Sequence, residues 1–196
     1  MKRYIFFKIV RITCIILLLL QTKTYAQRAL PGQQSIELTA GTVNGFNANT
    51  KSMDFAFHAG VFFSVYGKSA DYWRFGAEYL QKKFPYKNIS IPTAQFTGEA
   101  GRFFNTLSNR NKTLFCSVGI SAMAGYESIN WGNKLLFDGA TIQNKDVFVY
   151  GAAVTFEPQL FLSDRVALLL NVRERMLQNA SSKFNTQFGA GIKIQL

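Results

Sequence analysis

An eight-stranded antiparallel up-and-down transmembrane β-barrel of the outer-membrane type, after a cleaved signal peptide, is the all-β fold class this sequence predicts. Three observations carry that prediction. The chain opens on an export signal; period-two alternation then recurs from Gln34 to Leu196; and along each alternating segment one face is aliphatic and aromatic while the other collects glycine and charge.

Taken in order, Lys2, Arg3 and Lys8 precede the apolar run 12–20, which is followed by residues 21–26 ending in Thr24-Tyr25-Ala26. Charged start, apolar core and small-residue cleavage site follow one another as in a secretory signal peptide, so residues 1–26 are expected to be removed. The apolar core is roughly half the 20 or so residues a spanning helix needs. Cys14 lies inside it without the small residues that precede a lipid-modified cysteine. Removal takes away Lys2, Arg3, Lys8, Arg11 and Lys23 and no acid, so the formal charge falls from +11 to +6. The remaining bases are scattered and form no run, which argues against direct nucleic-acid binding. Cys116 is then the single cysteine, and no intrachain disulfide can form. Residues 27–33, with Arg28 and Pro31, read as an extended periplasmic lead-in able to dock on another component, and residues 34–196 as the barrel.

The alternating segments are 34–43, 54–65, 72–84, 92–104, 112–127, 146–162, 166–177 and 185–196. Several exceed the 5 or 6 residues usual for soluble strands and suit a tilted bilayer crossing of about 9–11. With the N-terminus in the periplasm, the linkers 44–53, 85–91, 128–145 and 178–184 face outside, and 66–71, 105–111 and 163–165 face inside. The fifth is the longest and the sixth the shortest, in keeping with long external loops and short periplasmic turns.

One face carries Phe55, Phe57, Val61, Phe63, Trp73, Phe75, Tyr79, Val118, Ile120, Phe156, Leu168 and Leu170, and is assigned to lipid. The other carries Glu37, Glu78, Glu99, Glu127 and Glu157 with Arg74, Arg173, Arg175 and Lys193, among many glycines. A soluble barrel would turn that face to water, where strand glycines bring no benefit. In a narrow lumen filled by side chains, glycines leave room for ionic ones. Buried charges need partners, so these nine are read as an ion-pair network, with Arg173 and Glu157 on adjacent strands expected to pair.

No catalytic residues, cofactor or metal are expected. His58 is the only histidine and falls mid-strand on the lumen side, which leaves a zinc site or a serine–histidine system without its parts. Tyr72, Trp73, Phe84, Tyr86, Phe103, Phe104, Tyr126, Trp131 and Phe148 fall near strand ends and read as interfacial girdles. The fifth linker gathers Trp131, Leu135, Leu136 and Phe137, an apolar cluster expected to be a folded cap or a partner-binding surface.

The segments 27–33 (QRALPGQ), Glu78-Tyr79, 124–130 (AGYESIN), 136–140 (LFDGA), Tyr150-Gly151-Ala152 and 162–165 (LSDR) together resemble the TraO family of Bacteroidetes conjugative transposons. The resemblance implies a component of a DNA-transfer apparatus and carries over no catalytic residue. The reading that follows is an outer-membrane structural barrel that anchors or assembles the envelope-spanning mating complex. Outer-membrane lipid and other conjugation proteins are its partners, and oligomers are allowed. The alternative is a general small barrel for envelope integrity or adhesion. The final strand departs from the usual pattern in one respect, ending on Leu196 where such barrels commonly carry an aromatic residue.

Overall fold

Because successive side chains on a pleated strand point to opposite faces, eight segments with one polar and one apolar face bury the polar face together only by closing on themselves. The computed structural model describes residues 28–43, 56–87, 89–136, 138–142 and 146–196. The expected signal peptide, the whole first linker, Phe55 and Phe137 lie outside the described residues.

The strands are β1 (Gln34–Val43), β2 (Phe57–Tyr66), β3 (Tyr72–Tyr86), β4 (Ile89–Ser108), β5 (Leu114–Ile129), β6 (Asp146–Phe161), β7 (Val166–Gln178) and β8 (Phe184–Gln195). They form a closed antiparallel barrel in sequence order. β8 returns to β1 with Ser35 opposite Gln195 and Gly41 opposite Gly189, so no edge is left open. Inward positions are buried and largely polar, whereas outward ones expose Val61, Ile120 and Leu170 by 56%, 60% and 61%.

Two strands run longer than alternation alone predicts. β3 and β4 continue past Lys83 and Pro92 to pair Phe84 with Ile91 and Tyr86 with Ile89, leaving a tight turn where a seven-residue linker, 85–91, was expected. Pro85 reads as a breaker in sequence, and Pro92 as the first residue of its strand. In this projecting ribbon each strand has only one neighbour, so a missing N–H on the free side costs no ladder bond.

The turns at the opposite end are short. Asn109 closes one of them, its side-chain oxygen accepting from the backbone N–H of Thr113 and Leu114 at 2.8 and 3.1 Å. The segment before β1 is not extended away from the barrel. Gly32 N–H donates to the Tyr66 carbonyl at 2.8 Å, and Tyr66 N–H to that of Gln33 at 2.9 Å, which carries the ladder beyond β1. Ala29 is then buried among Tyr66, Tyr72, Phe103, Phe115, Phe161 and Ala167, closing this end of the lumen. Arg28 holds the segment there through Asp164 at 3.4 Å and the face of Phe161.

Tyr72 and Phe103 correct the girdle reading. Both are buried inside, while Trp73 and Phe104, one position along, stand exposed outside. Parity decides this: Tyr72 shares its face with Arg74, and Phe103 shares its face with Gly101. Phe103 lies opposite Gly119, and a Cβ on Gly119 would come within 2.3 Å of the Phe103 ring. The glycine is therefore the space the ring occupies. We expect Gly119→Val to destabilise the barrel by about 1–3 kcal/mol through overpacking, measured as a lower urea midpoint in detergent micelles. An unchanged midpoint would show that the ring can move aside.

Candidate functional site

Inside the barrel the ionic side chains meet in three tiers. Nearest the turn end, Arg74 from β3 reaches Glu99 of β4 and Glu157 of β6, both at 2.8 Å, and Glu37 of β1 at 3.7 Å. Lys193 from β8 pairs with Glu37 at 2.9 Å and Glu157 at 3.7 Å. The Tyr72 hydroxyl donates to Glu157 at 2.7 Å, and the Gln159 amide donates to both Tyr72 and Glu157. Aromatic faces complete the shell: the Arg74 guanidinium lies 4.0 Å from the Phe103 centroid and 4.5 Å from that of Phe62, with Lys193 4.1 Å from that of Tyr72. Such cation–ring contacts replace part of the lost hydration.

In the middle tier, Arg173 of β7 binds Glu99 at 2.9 Å and Glu78 at 3.1 Å, and Arg175 binds Glu78 at 2.7 Å. Gln187 donates to Glu78 at 2.8 Å, and His58 Nδ1 lies 3.5 Å from the same carboxylate. Glu99 thus joins the two tiers through Arg74 and Arg173. His58, buried against Glu78, is a lumen residue as expected.

Eight of the nine expected network residues come together, and the pairing differs from expectation in two places. Arg173 and Glu157 take separate partners: Arg173 crosses the lumen to β3 and β4, and its Nε donates to Thr155 at 3.0 Å. Glu157 is held by Arg74, Lys193 and Tyr72. A strand neighbour two positions along is farther from a long guanidinium than a carboxylate straight across a narrow barrel. Glu127, in the third tier at the loop end, is satisfied by the Gln95 amide and by Ser181, whose backbone N–H donates at 2.9 Å. It makes no ion pair among the described residues.

The residue that sequence reasoning missed is Lys82. It is buried at the same end and hydrogen-bonded to Asn185. Its parity on β3, shared with Arg74 and Glu78, was the available signal. With it the described residues place five acids and five bases in the lumen, a charge-neutral filling.

Outside the loop end, the residues between β5 and β6 fold into a small hairpin. Leu135 bridges Thr141, Ile142 N–H donates to the Lys134 carbonyl at 2.8 Å, and Gly139 supplies the positive φ of +81° at the turn. Asp138 fastens it to the β3–β4 turn, accepting from the Tyr86 hydroxyl at 3.1 Å and from the Lys87 ammonium. Of the four expected loop residues, Trp131 and Leu135 are 58% and 69% exposed. Leu136 is 8% exposed, which suits the folded-cap alternative at that position. Phe137 lies outside the described residues.

The model of the conjugative transposon protein TraO matches residues 30–196. The chain belongs to the TraO family. The match takes in all eight strands and the resembling segments from Leu30 onward. Among solved structures, this TraO-family chain is similar to Neisserial surface protein A, with TM-score 0.53 at 12% identity over 83% of this chain and 97% of that one. It is also similar to Ail of Yersinia pestis in complex with the heparin analogue sucrose octasulfate, with TM-score 0.50 at 10% identity over 85% and 100% of the two chains. Both likenesses show the outer-membrane β-barrel fold alone. No curated protein is significantly similar to the chain.

Two outcomes test the geometry. Arg74→Ala leaves Glu37, Glu99 and Glu157 short of a buried counter-charge and is expected to cost about 3–5 kcal/mol, read as a shift in urea unfolding of the inserted barrel. A cost below about 1 kcal/mol would sink the network as a stabilising unit. The second concerns pH. The Lys87 ammonium and the Ala140 N–H hold the Asp138 carboxyl down at about 2. A depressed carboxyl keeps its charge to lower pH when folded, so the fastening is complete above about 3.9 and is lost as pH falls through about 2. The Ala140 amide resonance should follow that fall; a midpoint near 4 would mean that the contact is absent in solution.

Proposed function

We propose that this TraO-family protein is exported by its N-terminal signal, resides in the outer membrane, and serves there as a closed structural anchor that helps assemble the envelope-spanning conjugation apparatus. The observation that carries the reading is the lumen. Ion pairs and hydrogen bonds fill it from Lys193 and Arg74 to Lys82, and Ala29 with its aromatic neighbours closes the turn end. A barrel so filled has no passage for DNA, so a single copy acts through its surface rather than its interior.

The apolar outer face supports membrane residence, because a band that includes Val61, Ile120, Val154 and Leu170 is stable only against lipid. In that setting the short turns and the chain ends face the periplasm and the β3–β4 ribbon and the β5–β6 hairpin face outside. Neither family nor fold is of an enzymatic type, and the protein is assigned no catalysis. Its partners are outer-membrane lipid and other transfer proteins.

The β5–β6 hairpin is the surface we assign to a protein partner. Trp131 presents a large ring to solvent from a backbone at φ 52°, ψ 33°, a left-handed conformation that costs a bulky residue about 1–3 kcal/mol. A large aromatic side chain exposed on a projecting hairpin suits a contact residue.

Deleting the gene should abolish transfer while relaxase nicking continues. Trp131→Ala with Leu135→Ser should lower transfer frequency by at least about tenfold while the protein still inserts, as shown by heat-modifiable gel mobility. Normal transfer with the double variant removes the hairpin from the proposal; normal transfer without the gene removes the role in conjugation; recovery of the protein in the soluble periplasm removes the barrel's membrane residence.

A further inference from the structure

Once the lumen is balanced, the net positive charge of the chain has to lie on its outer surface, and it is unevenly placed. At the turn end the described bases are Arg28, Lys68, Arg102, Arg110, Lys112 and Arg165, and the acids are Asp71 and Asp164. Both acids are taken: Asp164 by Arg28 at 3.4 Å and Asp71 by Arg102 at 3.9 Å. Lys68, Arg110, Lys112 and Arg165 are exposed and make no ion pair among the described residues. They occupy all three turns of that end. At the loop end the described bases, Lys83, Lys87, Lys134 and Lys183, face Asp138, Asp146 and Glu174. Four of the six turn-end bases are arginines, whereas every described loop-end base outside the lumen is a lysine. The planar guanidinium fork matches a phosphate where an ammonium offers only a point charge.

Their depth is set by the apolar band. Arg110 and Lys112 lie between exposed Leu107 and Leu114, and Arg165 between exposed Leu162 and Leu168. Arg102 stands on the outer wall itself, its guanidinium 5.3 Å from the Trp73 centroid and 5.4 Å from that of Phe104. An aromatic pair holding a cation on the outer wall is the arrangement of a lipid–water boundary. The bases splay around a rim within three residues of lipid-facing side chains instead of forming one projecting surface.

We infer that this rim binds anionic phospholipid headgroups of the leaflet at the turn end, Arg102 beside Trp73 and Phe104 on the wall and Lys68, Arg110, Lys112 and Arg165 around the turns. The inference rests on the membrane reading above. Among the described residues the turn end has a surplus of four bases over acids, against one at the loop end. The charge attraction falls off within a Debye length, so it acts on headgroups in contact with the rim.

The test uses the full processed chain in detergent micelles containing equal amounts of phosphatidylcholine and phosphatidylglycerol, with bound lipid read by native mass spectrometry. Wild type should retain phosphatidylglycerol over phosphatidylcholine by roughly fivefold or more. The preference should vanish in Lys68→Gln/Arg110→Gln/Lys112→Gln/Arg165→Gln and persist in Lys83→Gln/Lys134→Gln/Lys183→Gln. Each variant is first checked for heat-modifiable mobility. A barrel that inserts but retains both lipids equally overturns the inference and leaves the membrane reading standing; a chain that does not insert overturns that reading instead. Equal lipid retention with binding of duplex DNA by the wild type, lost in the turn-end variant, would overturn it in favour of a nucleic-acid surface.

Discussion

The neutral ionic filling of the lumen is the constraint on which the rest of the molecule depends. Burying ten charged groups is tolerable only if each finds its counter-charge or hydrogen bonds, because an uncompensated buried charge costs several kcal/mol. Seven of the eight strands contribute a charged group to that filling, and β2 adds His58 and Phe62. Removing one strand would strand the partners of its neighbours. The network therefore favours complete closure over any partly open sheet.

Filling the lumen with long charged side chains sets the other choices inside. Room must be made on the same face, which is why Gly119 lies beneath Phe103, and why a Cβ on Gly76 would meet Phe62 at 2.4 Å. The rings so accommodated stack on Arg74, which lets a guanidinium sit without water among apolar atoms. With Ala29 closing the turn end, what projects from the barrel is the β5–β6 hairpin at one end and the basic turns at the other, the two surfaces on which the proposals rest.

Much of this was legible from residues in order. Alternation placed β1 at its observed bounds and the other strands within a few residues, and the pairing of glycine with charge told inside from outside. Misreadings came where a second rule was set above parity. Tyr72 and Phe103 were assigned to a girdle because they lie near strand ends, although they share faces with Arg74 and Gly101. Lys82 went unassigned although it continues the face of Glu78. Pro85 looked like a turn residue, since nothing local tells a paired strand from a ribbon with a free side. The burial of Leu136 had no periodic signal at all.

By itself, then, the order of residues determined the class, the strand count and the face of most side chains, because pleating makes orientation a property of the chain one residue at a time. Tertiary structure alone decided who meets whom. Arg173 meets Glu78 and Glu99 across the lumen instead of Glu157 beside it, and Asp138 meets Tyr86 and Lys87 across two loops. Strand tilt and stagger on closure set those distances, and neither is written in a local pattern.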